Sequence, residues 1–267
     1  MKKDKELLLI FPPQWTPISP HYAICALLGQ LKENGYNASF MDLNVEFYNH
    51  ILKIDYLKNI NEKIKKDYVE LFTKIKNIYS KGKNAKSYSL EEKCKIYKFG
   101  KIKEFMSCDT SYYDIVPDLI PFALGVIRSN DKFYTPEYLI RAMNAIDSAL
   151  KMVSLAYSPT NIAFDSCYNP FMNLDFESIK HFVFDKETNI FWDFFKDKIE
   201  EIKKKNSSCV AISLNSSSQI IAGLTLAYLL KKHTKAHINI GGNFFGRIKE
   251  AVMTHNDFSM FCDSISY

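Results

Sequence analysis

Five apolar residues in a row, Leu7 to Phe11, run directly into Pro12-Pro13. The run is too short to cross a membrane or to make a helix of ordinary length. With no polar residue on either side of the pleat, it suits a strand buried on both faces, as in a parallel sheet. The next apolar residues fall at Ala23, Ile24, Leu27, Leu28 and Leu31, the spacing of one helical face, and Gly35 supplies a C-terminal stop. A second short strand is predicted over Asn37 to Leu43, ending beside the polar pair Asp42 and Asn44. Strand, helix and strand in this order imply a right-handed parallel unit.

From Val45 to about Asn206 the strand pattern is lost. Ile60, Ile64, Tyr68, Leu71, Ile75 and Ile78 mark one helical face, and Ser89 with Glu92 reads as a capping box. Thr135-Pro136-Glu137 opens a further helix carrying Leu139, Met143, Ile146, Leu150 and Val153. Lys81-Gly82-Lys83-Asn84 is the expected flexible point, and Ser158-Pro159-Thr160-Asn161 and Asn169-Pro170 are expected turns. The α/β pattern returns at Ser208: a strand over Cys209 to Leu214, a helix over Gln219 to Lys232 and a strand over Ala236 to Asn243. A last helix over Arg247 to Met253 leads to a strand that opens at Asp263. The fold class predicted is therefore α/β, a doubly wound, flavodoxin-like or Rossmann-like parallel sheet interrupted by a large helical insertion. Its fifth strand reads as truncated, as in a piece of a longer protein. The expected organisation is 1–44 and 207–267 as the two halves of the sheet domain, with 45–206 inserted between them.

Composition excludes other classes. Hydrophobic residues make up 47% and charged residues 24% of the 267, which does not fit a disordered, collagen-like or disulfide-scaffold chain. Residues 51–105 carry fifteen Lys against seven Asp and Glu, a local net of +8 in a chain of net +5. Lys without Arg lacks the bidentate contacts of a specific nucleic-acid reader, so a solvated helical face is expected and nucleic acid is not. The six Cys, at 25, 94, 108, 167, 209 and 262, show no C-x-x-C pair and no zinc-finger spacing, and read as reduced thiols. No apolar stretch reaches membrane-spanning length, and the N-terminal run is too short for a signal-peptide core, so the expected compartment is the cytoplasm.

In an open parallel sheet ligands bind at the carboxyl ends of the strands. The loops to inspect are therefore PPQWTPISPH, NSSSQ and GGNFFG, which are expected to converge. The first has no glycine and cannot form the G-x-G-x-x-G turn of a dinucleotide site, which makes Asp42 a strand-end residue rather than a ribose ligand. Ser213, Ser216, Ser217 and Ser218 offer hydroxyls, and Gly241-Gly242 lets a bulky group pass close to the backbone.

In order along the chain, LLLIFPPQW, QLKENGYNASFMDLN, CVAISLNSSSQIIAGLTLAYLLKK and INIGGN resemble the N-terminal cobalamin-binding domain of cobalamin-dependent radical SAM enzymes. The resemblance covers the two sheet halves and leaves the insertion out. It implies that cobalamin is held by Pro13, Gln14 and Trp15 of the first loop, by Ser213, Ser216 and Ser217, and by Gly241, Gly242 and Asn243, with Ser213 and the glycine pair lining the cobalamin tail. It implies further that S-adenosylmethionine and a [4Fe-4S] cluster act in the full-length protein, where methyl transfer to an unreactive carbon is the expected reaction. The piece alone would bind cobalamin without turnover, and the substrate would be a peptide or a small molecule.

The chain departs from the family twice. The D-x-H-x-x-G motif that places a histidine under cobalt is missing, with His21 alone in the first loop. The C-x-x-x-C-x-x-C motif of the cluster is absent from all six Cys positions and would have to lie beyond Tyr267. Two other readings compete: a non-catalytic peptide-binding or protein-binding module that uses the insertion, and a Rossmann-like transferase that uses a nucleotide-sugar or S-adenosylmethionine directly.

Overall fold

The computed structural model describes residues 6–18, 21–82, 84–107, 110–244, 246–247 and 255–266. The expected helix over Arg247 to Met253 lies outside them beyond its first residue, as do Ser19 and Pro20 of the first loop, Lys83 and Cys108.

The described chain divides into two compact units. The first, residues 1–48, 165–168 and 172–267, holds a five-stranded sheet. Its strands are β1 (Leu7–Phe11), β2 (Ala38–Asp42), β5 (Cys209–Ser213), β6 (His237–Gly241) and β7 (Ser264–Ser266), and two-residue strands β3 (Asn161–Ile162) and β4 (Cys167–Tyr168) fall between β2 and β5 in the chain. The sheet order is β2-β1-β5-β6-β7 and every pairing is parallel. Counted among themselves, the strands run 2-1-3-4-5, the flavodoxin-like order. The doubly wound α/β architecture with a helical insertion is thus what the chain adopts.

The pleat explains which residues meet. Leu8 and Ile10 pair in register with Val210 and Ile212, which pair with Ile238 and Ile240; all six are at most 1% exposed. On the opposite side Leu9 and Phe11 form a cluster with Ile24 of α1 (Tyr22–Glu33), against which Phe40, Ala211, Trp15, Leu28 and Leu31 pack. Helix α1 ends where the sequence predicts: Gly35 at φ 76° follows the cap, and the Tyr36 N–H closes onto the Leu31 carbonyl at 3.0 Å.

Helix α10 (Ile220–His233) packs on β5 and β6 and against α8 (Phe176–Phe184) and α9 (Trp192–Lys204). The sheet unit therefore takes in 165–168 and 172–206, all of which the sequence reading assigned to the insertion. The physical reason is the apolar stripe of α8 and α9. Phe176, Ile179, Phe182 and Val183 on one, and Phe194, Phe195, Ile199 and Ile202 on the other, are buried within this unit. Phe47 joins them, its ring 5.0 Å from Phe191 and 5.4 Å from Phe194.

The second unit, residues 49–164 and 169–171, is helical. Helix α2 (Leu43–Ile51) runs into it from the sheet unit. Its own helices are α3 (Ile54–Tyr79), α4 (Leu90–Ser107), α5 (Ser111–Ile127), α6 (Asn130–Phe133) and α7 (Pro136–Ala156). Helix α3 packs on α4, α5 and α7 through Leu57, Ile60, Ile64, Leu71, Ile75 and Ile78. Tyr68, expected on that buried face, is half-buried and stacks on Phe99 at 5.8 Å. The Ser89–Glu92 capping box forms as expected: the Glu92 N–H donates to Ser89 Oγ at 3.1 Å, and the Ser89 N–H donates to Glu92 Oε2 at 2.9 Å.

Candidate functional site

After β1 the chain turns through α1 to β2 on one side, and after β5 it turns through α10 to β6 on the other. The two turns leave in opposite directions, so a crevice opens at the carboxyl ends of β1 and β5, where doubly wound proteins place their ligands. The loops that follow β1, β5 and β6 do converge there, and side-chain amides join them.

Gln219, fully buried, donates from Nε2 to the Pro12 carbonyl at 2.8 Å, while its Oε1 accepts from the Asn215 N–H at 2.8 Å and the Ser216 N–H at 3.3 Å. That joins the first loop to the β5 loop. Asn215 joins the β5 loop to the next: its Oδ1 accepts from the Asn243 N–H at 3.4 Å and its Nδ2 donates to Ser213 Oγ at 3.0 Å. The Leu214 N–H donates to the Gly241 carbonyl at 2.7 Å, and the Phe244 N–H to the Leu214 carbonyl at 3.2 Å. On the far flank Asn44, 2% exposed, accepts from the Trp15 N–H and donates to the Trp15 carbonyl, both at 3.0 Å. Gln14 donates to the Tyr48 hydroxyl.

The structure brings the sequence-predicted residues to this edge, but not all of them face outward. Pro13 and Gln14 are buried, and Trp15 is half-buried with its ring 6.2 Å from Phe11 and 5.7 Å from His21. Ser213 is half-buried, Ser216 caps the turn by accepting from the Ser218 N–H at 3.2 Å, and Ser217 and Asn243 are exposed. The glycine pair needs a correction. A Cβ on Gly242 would stand 2.2 Å from the Leu214 carbonyl oxygen, and its φ is 110°, so this glycine is required by the approach of the β5 loop. A Cβ on Gly241 would meet the Ser266 hydroxyl at 2.5 Å. Neither missing side chain leaves room for a ligand.

Ala211 packs on the α1 side of the sheet, so Ser213, two residues on, shares that side, and their register partners there are Asn239 and Gly241. Along β5 this side is only half-buried, whereas Val210 and Ile212 opposite are 1% exposed. The result is a track of small side chains, thinly covered among the described residues, that leads to the crevice.

Burial favours the neutral form of three titratable groups near the edge. Burial pushes the Tyr48 phenol well above its ordinary value, and the Cys167 thiol up to about 12. Burial also lowers the pKa of His21, against the opposing pull of Asp42. The ring stacks on Phe11 at 4.5 Å, and its buried Nδ1 has no hydrogen-bond partner among the described residues. Among the described residues no group of three or more His, Cys, Asp or Glu is placed to hold a metal ion, and no helix is long and apolar enough to cross a membrane.

Sequence reasoning missed Asn44, Tyr48, Asn215 and Gln219. A signal for Gln219 was present, since Ser216 and Gln219 stand at capping-box spacing and form one. No protein-family model, no curated protein and no solved structure matches this chain.

Proposed function

We propose that the sheet unit is a cobalamin-binding domain serving a radical SAM enzyme, with methyl transfer to an unreactive carbon as the reaction of the whole enzyme. The observation that supports it is the half-buried track of Ala211, Ser213 and Asn239 on the α1 side of the sheet, opening at the crevice between β1 and β5. In this reading the nucleotide tail lies along that track, with Ser213 Oγ as its polar contact, and the corrin rests against the edge formed by Trp15, Ser216, Ser217 and Asn243. Bound cobalamin would supply a methyl-carrying cobalt; S-adenosylmethionine and the [4Fe-4S] cluster would be held elsewhere in the enzyme. The chain's own part is binding, orientation and the exclusion of water.

The test is a hydroxocobalamin titration of the purified chain, followed by absorbance. Ser213→Leu puts a larger, apolar side chain on the track at a half-buried position, and should weaken binding more than tenfold, about 1.4 kcal/mol. Absence of binding to the parent chain, or equal affinity in a folded Ser213→Leu variant, would reject the reading.

A further inference from the structure

Three side chains from two segments distant in sequence hold the first loop. We infer that Asn44 and Tyr48 are positioning residues that hold Pro12–Trp15 as a rigid wall of the site, so that hydrogen bonds to a ligand come from the β5 and β6 loops instead. The two stand four residues apart on α2, hence on one face of that helix. Asn44 spends both ends of its amide on the Trp15 backbone, as a neighbouring strand would. Tyr48, 4% exposed, receives the Gln14 side chain, and burial keeps its phenol protonated. From the opposite flank Gln219 takes the Pro12 carbonyl.

Each of Pro12, Gln14 and Trp15 is therefore tied by a side chain at most 4% exposed. Pro12 and Pro13 have no N–H to offer, and the Trp15 N–H and carbonyl are both engaged. Pro12, Pro13 and Gln14 are buried, so the face that this loop can present to a ligand is the half-buried Trp15 indole. The polar contacts fall to Ser213, Ser216, Ser217 and Asn243. A wall fixed before binding spares the ligand the entropy of ordering it, which is how a residue that touches no ligand raises affinity.

The choice of cobalamin as probe rests on the proposed function, but the wall itself does not, and the experiment separates the two. With Trp192→Phe as background, Trp15 is the sole tryptophan and reports on the loop directly. Asn44→Ala should shift Trp15 emission to the red, raise its quenching by acrylamide and weaken hydroxocobalamin binding about tenfold. Asn44→Asp keeps an acceptor for the Trp15 N–H and should recover part of both effects, and Tyr48→Phe should produce smaller changes of the same sign. If Asn44→Ala does not fold, Asn44→Asp and Tyr48→Phe carry the same comparison. Unchanged Trp15 emission and quenching in folded variants would overturn the inference. So would a loosened Trp15 with hydroxocobalamin affinity within twofold of the parent. A loosened Trp15 in a background that never bound hydroxocobalamin would support the wall and remove cobalamin as the ligand.

Discussion

The carboxyl edge of the sheet unit and helix α3 of the helical unit are both rich in polar side chains, and they use them in opposite ways. At the edge the polar groups are neutral amides, Gln14, Asn44 and Gln219, at most 2% exposed and tied to distant loops. On α3 most are charges paired at the surface: Lys66 and Lys74 both meet Glu70 at 3.7 Å, and Lys58 meets Asp118 at 3.4 Å; buried Asn61, which donates to Asp114 at 2.7 Å, and Asp67, paired with buried Lys98 at 2.6 Å, are exceptions. A buried amide that satisfies backbone groups is costly to remove, because its partners are left dry and unpaired; an exposed ion pair is replaced by water. The contrast separates an edge whose side chains hold one geometry from a helix surface whose charges water can replace. Several of the Lys in 51–105 are paired in this way with acids of the helical unit.

The sharpest break of the edge should come from Gly242→Val. A branched side chain at φ 110° against the Leu214 backbone combines strain with overlap, and about 3 kcal/mol of stability should be lost, read by urea unfolding. Full stability in this variant would mean that the β5 and β6 loops are not packed as described. Gln219→Ala comes next, at about 2 kcal/mol, because the Pro12 carbonyl and the Asn215 and Ser216 N–H groups all lose their partner. At the other extreme Glu70→Gln, which breaks two exposed pairs on α3, should change stability by less than about 0.5 kcal/mol. A cost comparable to that of Gln219→Ala would dissolve the contrast.

Titration sharpens the same comparison. Cys167 keeps its proton up to about 12 in the folded chain, against an ordinary value of 9.0. Its contribution to stability is therefore complete below pH 9 and declines as pH rises from there toward 12. In the native chain at pH 8.5, iodoacetamide should modify exposed Cys25 at least about tenfold faster than Cys167, with the difference abolished in urea. Mapping of the alkylated peptides by mass spectrometry reads both rates.

The strands were legible because buried parallel strands are continuous apolar runs: Leu7–Phe11 and Cys209–Ser213 announce themselves. The extent of the insertion was not, since the periodicity of α8 and α9 says that they are amphipathic helices but not which core they cover. Helix α5 hid for a different reason. Pro117 and Pro121 lie inside it, and proline reads locally as a breaker even where packing overrides it. At the site, Ser213 and the glycine pair were legible as loop chemistry, while the role of Gly242 needed the third dimension. The amide links were out of reach: they join residues 29, 34 and 207 positions apart, and no local pattern records such a pair.

The central claim is that the carboxyl edge of the sheet, at the crevice between β1 and β5, is where this chain takes its ligand. Hydrogen–deuterium exchange with and without saturating hydroxocobalamin tests it most directly. The expected result is slowed exchange confined to peptides that cover residues 12–18, 209–219 and 239–244, with residues 49–164 unchanged. Protection centred on 49–164 with none at the three loops would contradict the claim and favour the helical unit as the binding surface.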